Sequence, residues 1–199
     1  MRFLIWMLIA VMYRIRRENM DLIPDEGPVL LVCNHVSYVD VLVIAGLCRR
    51  PVRFVMDHRI FQTPVLGFIF RTAGVVPIAP RREDASVYEA AFGQIADYLK
   101  TNEVICIFPE GMLTRDGDMN EFRSGVERIL AETPVPVVPM GLSGLWGSMF
   151  SFIGGRLLNK LPQRFRANIK LTIGAPIPPD QATAQYLSEA VARLRGDVK

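Results

Sequence analysis

Residues 29–40 read Val29-Leu30-Leu31-Val32-Cys33-Asn34-His35-Val36-Ser37-Tyr38-Val39-Asp40. Five consecutive apolar residues are too few for an ordinary helix and suit a strand buried on both faces. Ser37 followed three residues later by Asp40 resembles a capping box, with Asp standing in for the usual Glu or Gln. The stretch therefore reads as strand, loop and helix, with His35 in the loop. On one continuous helix, residues five apart would point about 140° away from each other and could not meet. From a loop, His35 can fold back over the first helical turn towards Asp40. An aspartate accepting the imidazole N–H fixes the tautomer and stabilises the imidazolium, which leaves the other ring nitrogen to take a proton from an alcohol. The plainer alternative is that Asp40 only caps a helix and His35 is an ordinary loop histidine.

Working outward, short β-branched runs recur at 29–33, 52–56, 75–78, 104–108, 135–140 and 169–173, several bounded by Gly or Pro. Helical patterns lie between them at 38–47, 65–71, 85–100 and 123–131, with a last helix at about 181–195. This alternation predicts an α/β fold with a mostly parallel sheet covered by helices. The loops at the carboxyl ends of the strands are where such folds hold their sites.

The run 104–108 feeds directly into Phe108-Pro109-Glu110-Gly111. Pro109 cannot donate to a ladder and ends the strand, and Gly111 permits a positive φ or a close backbone approach. Glu110 would then be presented at the sheet's carboxyl end, with Arg115 and Arg123 as nearby candidates for a phosphate. A tight turn with a solvated glutamate is the competing reading. His58 adjoins Asp57 at a strand end, where neighbouring side chains point to opposite faces. Asp116-x-Asp118-x-Asn120 hints at calcium, but Glu121 stands where a calcium loop needs glycine. No His, Cys and acid cluster has metal-ligand spacing. Gly141-Leu142-Ser143-Gly144-Leu145 fails the nucleophile-elbow pattern at its last position.

A chain of 199 residues, half of them hydrophobic and with net charge +3, is neither disordered nor a strongly basic nucleic-acid binder. Cys33, Cys48 and Cys106 are odd in number, and Cys33 and Cys106 sit in apolar runs, as buried thiols of a reducing compartment do. Residues 3–13 (FLIWMLIAVMY) form an unbroken apolar run followed by Arg14, Arg16 and Arg17. The run falls short of the ~20 residues needed to span a bilayer. A signal peptide would need a stronger basic start and a small-residue cleavage site. A buried core helix is one reading. The preferred one is a helix dipping into one leaflet, with Trp6 and Tyr13 near the headgroups and the arginines on lipid phosphates. The expected organisation is a membrane-surface helix at 1–20 and one globular domain at 21–199. Arg49, Arg50 and Arg53 could face lipid phosphate or an acidic protein, or form a solvated rim. Trp146, Met149, Phe150 and Phe152 could line an apolar tunnel, touch the membrane or belong to the core.

Together these segments resemble the glycerophospholipid acyltransferase family, which includes lysophosphatidic-acid acyltransferases. Four blocks occur in order over 28–141: His35-x4-Asp40, Gly74-Val75-Val76-Pro77-Ile78, Phe108-Pro109-Glu110-Gly111 and Val135-Pro136-Val137-Val138-Pro139. The resemblance implies that His35 is the general base and Asp40 its orienting partner. It implies that Glu110 and Gly111 bind substrate and that Pro139 belongs to the acyl-chain region. Two departures stand out. Met112-Leu113 intervene before Thr114-Arg115, and Pro77 replaces an aromatic, with Arg81 and Arg82 following at a distance. Arg115, Arg81 and Arg82 are the candidate phosphate ligands. The implied reaction moves an acyl group from acyl-carrier protein or acyl-CoA to the hydroxyl of a lysophospholipid, 1-acylglycerol-3-phosphate first. Backbone N–H groups near Ser37 would be candidates to hold the oxyanion. Neither metal nor cofactor is required, and the thioester is a co-substrate. The Pro-Ile-Ala-Pro and Thr-Arg-Asp-Gly variants resemble bacterial acyltransferase domains fused to acyl-carrier-protein synthetases or lysophospholipid transporters, which makes lysophosphatidylethanolamine a rival acceptor. The implied place is the cytoplasmic face of a bacterial inner membrane. A lipid hydrolase and a non-catalytic lipid-binding domain of the same fold are the other readings.

Overall fold

The apolar run at 29–33 is β2 (Val29–Cys33), and all five of its side chains are buried. It lies inside a seven-stranded sheet. A computed structural model describes residues 2–148 and 166–196. Before β2 come α1 (Arg2–Met12) and β1 (Arg14–Glu18). After it come α2 (Asp40–Leu47), β3 (Val52–Asp57), α3 (Pro64–Thr72), β4 (Val76–Ile78), α4 (Ala85–Lys100) and β5 (Val104–Ile107). The chain continues through α5 (Gly125–Glu132), β6 (Val137–Ser143), β7 (Asn168–Ile173) and α6 (Ala184–Arg195). The strand order is β1-β7-β6-β2-β5-β3-β4. Strands β6, β2, β5, β3 and β4 run one way, while β7 is antiparallel to β6 and β1 is parallel to β7.

Alternation along β2 divides the core in two. Leu31 and Cys33 join α2 residues Val43, Ile44 and Leu47 on one face. Leu30 and Val32 join Ile95 and Leu99 of α4, Val126 and Ile129 of α5, and Leu187 and Val191 of α6 on the other. Each face of the sheet is thus covered, which is why the parallel strands read as continuous apolar runs. Helix α4 starts where an N-cap forms: Asp84 accepts the Val87 N–H at 3.0 Å. Helix α6 starts at the Thr183 cap instead of at 181, because Thr183 accepts the Tyr186 N–H.

Strand β1 was not foreseen. Its sequence, Arg-Ile-Arg-Arg-Glu, lacks apolar alternation because it is an edge strand with mostly exposed side chains. These residues, on the membrane-helix side of the boundary drawn at residue 20, hydrogen-bond to β7. Helix α1 packs on α2, where Gly46 leaves room for the Ile9 side chain and the Trp6 backbone. Ile9 is buried, while Trp6, Met7, Leu8 and Val11 stay exposed. Tyr13 departs from the headgroup position expected of it: it is 3% exposed and belongs to the α2-side core.

Pro139 sits inside β6 without breaking it. Its carbonyl faces the β7 side and accepts the Gly174 N–H at 2.8 Å. The missing N–H would point the same way, at the end of the paired segment Met140–Ser143, so only the return bond to Gly174 is forgone and the β2 side of the ladder is untouched. One residue on from Met140, the backbone of α6 crosses β6 so closely that a Cβ on Gly141 would lie 2.3 Å from the Arg195 nitrogen. Gly141→Ala is therefore expected to push α6 off the sheet and cost about 1–3 kcal/mol of stability, measured by urea unfolding.

Candidate active site at the carboxyl edge of the sheet

Where β2 ends, Asn34 extends the pairing with its side chain. Its Nδ2 donates to the Leu142 carbonyl and its Oδ1 accepts the Leu142 N–H, both at 2.8 Å. The amide thus stands in for one more backbone unit of the β2–β6 ladder. It is 1% exposed and fixes the point from which the next residue departs.

That residue is His35. Its Nδ1 lies 2.8 Å from Asp40 Oδ2. The same oxygen accepts the N–H groups of Val36 at 2.7 Å and Ser37 at 2.9 Å. Asp40 is fully buried at the first position of α2. With both backbone groups donating, the carboxylate has the imidazole N–H as its third donor, which leaves Nε2 as the unprotonated nitrogen. Nε2 makes no hydrogen bond among the described residues, and the ring remains 20% exposed. The imidazole also stacks on Phe108, with centroids 4.2 Å apart and planes 18° from parallel.

The capping box is half present. Val39 is the N-cap and Ser37 Oγ accepts the Val39 N–H at 3.4 Å, while Asp40 supplies the arm that reaches back. This geometry narrows one expectation. The N–H groups of Val36, Ser37, Val39 and Asp40 are all engaged within the loop, so they are not available to an oxyanion.

Glu110, at the end of β5, is 2% exposed and reaches behind His35. Its Oε1 accepts the His35 N–H at 2.7 Å, and its Oε2 accepts the Asn120 N–H at 2.7 Å and Asn120 Nδ2 at 2.8 Å. Burial pushes its carboxyl above the ordinary 4.5, against the pull of the His35 and Asn120 donors. The His35 carbonyl is held as well, by the Thr114 N–H at 3.1 Å. Both peptide groups flanking the histidine are thus tied to the loop after β5. Gly111 has φ 67°, in the left-handed region, and a Cβ there would lie 3.0 Å from the Arg123 guanidinium. Arg123 is exposed, and its backbone N–H bonds to Pro109. Farther along the loop, Arg195 of α6 donates to the Gly117 carbonyl at 2.5 Å.

The remaining candidates are spread along the same edge or away from it. Arg115, Arg81 and Arg82 are exposed, and Arg81 lies 3.9 Å from Glu89. Arg81 and Arg82 follow β4, three strands from β2 and so roughly 14 Å along the sheet. Pro139 faces α6, across the sheet from α2, in a groove of about 300 Å³ shared with Gly174, Pro176, Tyr186 and Leu194. His58 is paired with Glu83 at 3.0 Å. Arg50 donates to the Pro24 and Asn102 carbonyls, and Arg53 to the Ala73 carbonyl and Glu103. Arg50 and Arg53 therefore brace loops near the amino ends of β3 and β5, away from His35. The three cysteines are free and buried. Trp146 packs its ring against Gly117, while Met149, Phe150 and Phe152 lie outside the described residues. Sequence reasoning had given no role to Asn34, Phe108 or Asn120. Only Asn34 carried a signal, as a buried-strand neighbour with two complementary hydrogen-bonding groups.

Two stability measurements check this scaffold. Asp40→Ala strips the acceptor from two buried N–H groups and is expected to cost about 2–5 kcal/mol in urea unfolding. For Glu110, a folded-state pKa above 4.5 means its contribution is fully present below that value and is lost as pH rises through the raised one. Glu110→Gln removes this titration, so unfolding measured across that window should show the wild type losing stability relative to the variant as pH increases. A parallel pair of curves would rule the buried carboxyl out as the cause.

Comparison with known proteins agrees with this arrangement. The Acyltransferase family model matches residues 14–143. A chloroplastic 1-acyl-sn-glycerol-3-phosphate acyltransferase from Arabidopsis thaliana is 28% identical over 181 residues, covering 89% of this chain and 48% of its own length. A lyso-ornithine lipid O-acyltransferase from Pseudomonas aeruginosa is 26% identical, covering 84% of this chain and 67% of its own. The chain spans about half the length of the plant and algal relatives it matches. The crystal structure of the 1-acyl-sn-glycerophosphate acyltransferase PlsC from Thermotoga maritima shares the fold, with TM-score 0.75 and 22% identity over 93% of this chain and 72% of that one. With the family model covering both the His35–Asp40 loop and the Pro-Glu-Gly turn, the chain belongs to the Acyltransferase family.

Proposed function

We propose that the chain transfers an acyl group from a thioester to the free hydroxyl of a lysophospholipid, with 1-acylglycerol-3-phosphate as the first acceptor to test. The observation that carries this reading is the 2.8 Å His35–Asp40 pair, which commits Nδ1 and leaves Nε2 open at the carboxyl edge of the sheet. His35 Nε2 takes the proton as the hydroxyl oxygen attacks the thioester carbonyl carbon. The C–O bond forms, the C–S bond breaks, and His35 returns the proton to the departing thiolate. Asp40 stabilises the imidazolium in between. Acyl-CoA and acyl-carrier protein are the donors considered, and no metal or cofactor enters the scheme. In this reading the loop after β5 receives the head group. Gly111 brings the backbone close, Arg123 and Arg115 offer the nearest charges, and Glu110 acts by holding His35 and Asn120. Arg81 and Arg82 are proposed as a more distant phosphate contact, and Pro139 as part of the acyl-chain side. The names of the relatives extend beyond the glycerol-3-phosphate head group, to lyso-ornithine lipid and N-acylphosphatidylethanolamine, so lysophosphatidylethanolamine is kept as the second acceptor.

A lipid acceptor calls for a membrane surface. No helix among the described residues is long and apolar enough to cross a bilayer. The exposed Trp6, Met7, Leu8 and Val11 of α1 support a helix lying in one leaflet, proposed here as the cytoplasmic face of a bacterial inner membrane. The test offers purified chain both thioesters with lysophosphatidate or lysophosphatidylethanolamine and reads products by mass spectrometry. Diacyl phospholipid is expected, falling about 10²–10⁴-fold in His35→Ala while the variant still folds. Free fatty acid as the main product would mean hydrolysis instead, and turnover surviving in His35→Ala would remove the histidine from the base role.

A further inference from the structure

The large apolar side chains left exposed are concentrated in two places. Nine are exposed among the described residues, and six of these lie on α1 and α3. On α3 they are Phe68, at 69% the most exposed of all, and Ile69 at 44%. Both helices sit on one side of the sheet: Met12 of α1, Phe70 of α3 and Phe61 just before α3 pack against the core cluster of α2, whereas α4, α5 and α6 belong to the other cluster. Charge follows the same division. Residues 1–17 and 58–75 contain Arg2, Arg14, Arg16, Arg17, Arg59 and Arg71 but none of the chain's 20 acidic residues. Arg59 is paired with Glu83 just beyond the segment, and Arg71 is exposed. The helices of the opposite layer mix both signs, with Glu89, Asp97, Glu127, Glu132 and Glu189 beside Lys100, Arg128, Arg193 and Arg195.

This combination selects a partner. A second copy docked through the same face would bring arginines against arginines. An anionic bilayer accepts exposed apolar side chains and is attracted by the basic residues beside them. We propose that α3 is a second membrane-docking element, with Phe68 and Ile69 entering the headgroup–acyl boundary and Arg71 meeting lipid phosphates. The assignment deepens the α1 contact and rests on that reading of the layer. The turn His58–Gln62 leads into α3 from the carboxyl end of β3, the sheet edge that also carries His35 and Glu110. Docking through α3 therefore brings the open imidazole nitrogen to the lipid surface.

The experiment is vesicle flotation of the full chain on phosphatidylcholine with and without phosphatidylglycerol. Phe68→Ser/Ile69→Ser is expected to weaken vesicle binding by about tenfold or more. It should keep the wild-type melting temperature and its turnover of a short-chain, fully dissolved lysophospholipid. Arg71→Gln should weaken binding to the anionic vesicles alone. Undiminished vesicle binding by the double variant overturns the proposal, and so does an equal loss of turnover on the dissolved substrate. A vesicle-free dimer that the double variant makes monomeric would make the face a protein interface and overturn it too. Vesicle binding lost in the double variant, with no acyl transfer by the wild type, would support docking and refute the proposed reaction.

Discussion

One carboxylate oxygen organises the site. Asp40 Oδ2 gathers two backbone N–H groups and an imidazole nitrogen within 2.9 Å, at the buried start of a helix. Each donor would be costly to bury unpaired, and the aspartate would be costly to bury without them. Collected on one atom, they lock the turn between β2 and α2 into a single shape. The helix start also favours negative charge there, because the positive end of its aligned peptide dipoles lies at Asp40. The imidazole thus occupies a place that the loop would have to build for its own stability.

The second half of the scaffold comes from the neighbouring strand. Glu110 and Thr114 hold the N–H and carbonyl of His35 respectively, so the catalytic candidate is gripped at its backbone as well as its ring. Phe108 supplies a flat apolar wall on one side. A side chain held by backbone, ring nitrogen and ring face loses most of its freedom before any substrate arrives, which is how positioned proton transfer gains over the same chemistry in water.

Much of this was legible in the sequence, and the exceptions have physical causes. β2, β5 and α4 could be read because continuous burial and a clear N-cap each leave a local pattern. The His35–Asp40 pairing could be read because a helix start between them was marked by Ser37. The role of Glu110 could not: its partners are a backbone group 75 residues away and Asn120 across a loop, and nothing local to Phe-Pro-Glu-Gly reports them. β1 was hidden because an exposed edge strand needs no apolar alternation. The arginines were hardest, since long charged side chains take partners according to the fold. Arg50 and Arg53 went to loop carbonyls and Glu103, and Arg123 went over a glycine.

The directions in which the chain leaves β2 and β5 differ. After β2 it turns to the face covered by α2, and after β5 to the face covered by α5. Two adjacent backbones parting to opposite sides set two loops from separate crossovers at the same sheet edge, and hydrogen bonds between His35 and residues 110 and 114 tie them together. One loop bears the His35–Asp40 pair; in the other, residues 108–120, Glu110 and Thr114 hold the His35 backbone while Met112 and Arg115 stay exposed. The exposed positions of this second loop can therefore change without touching the groups that position His35.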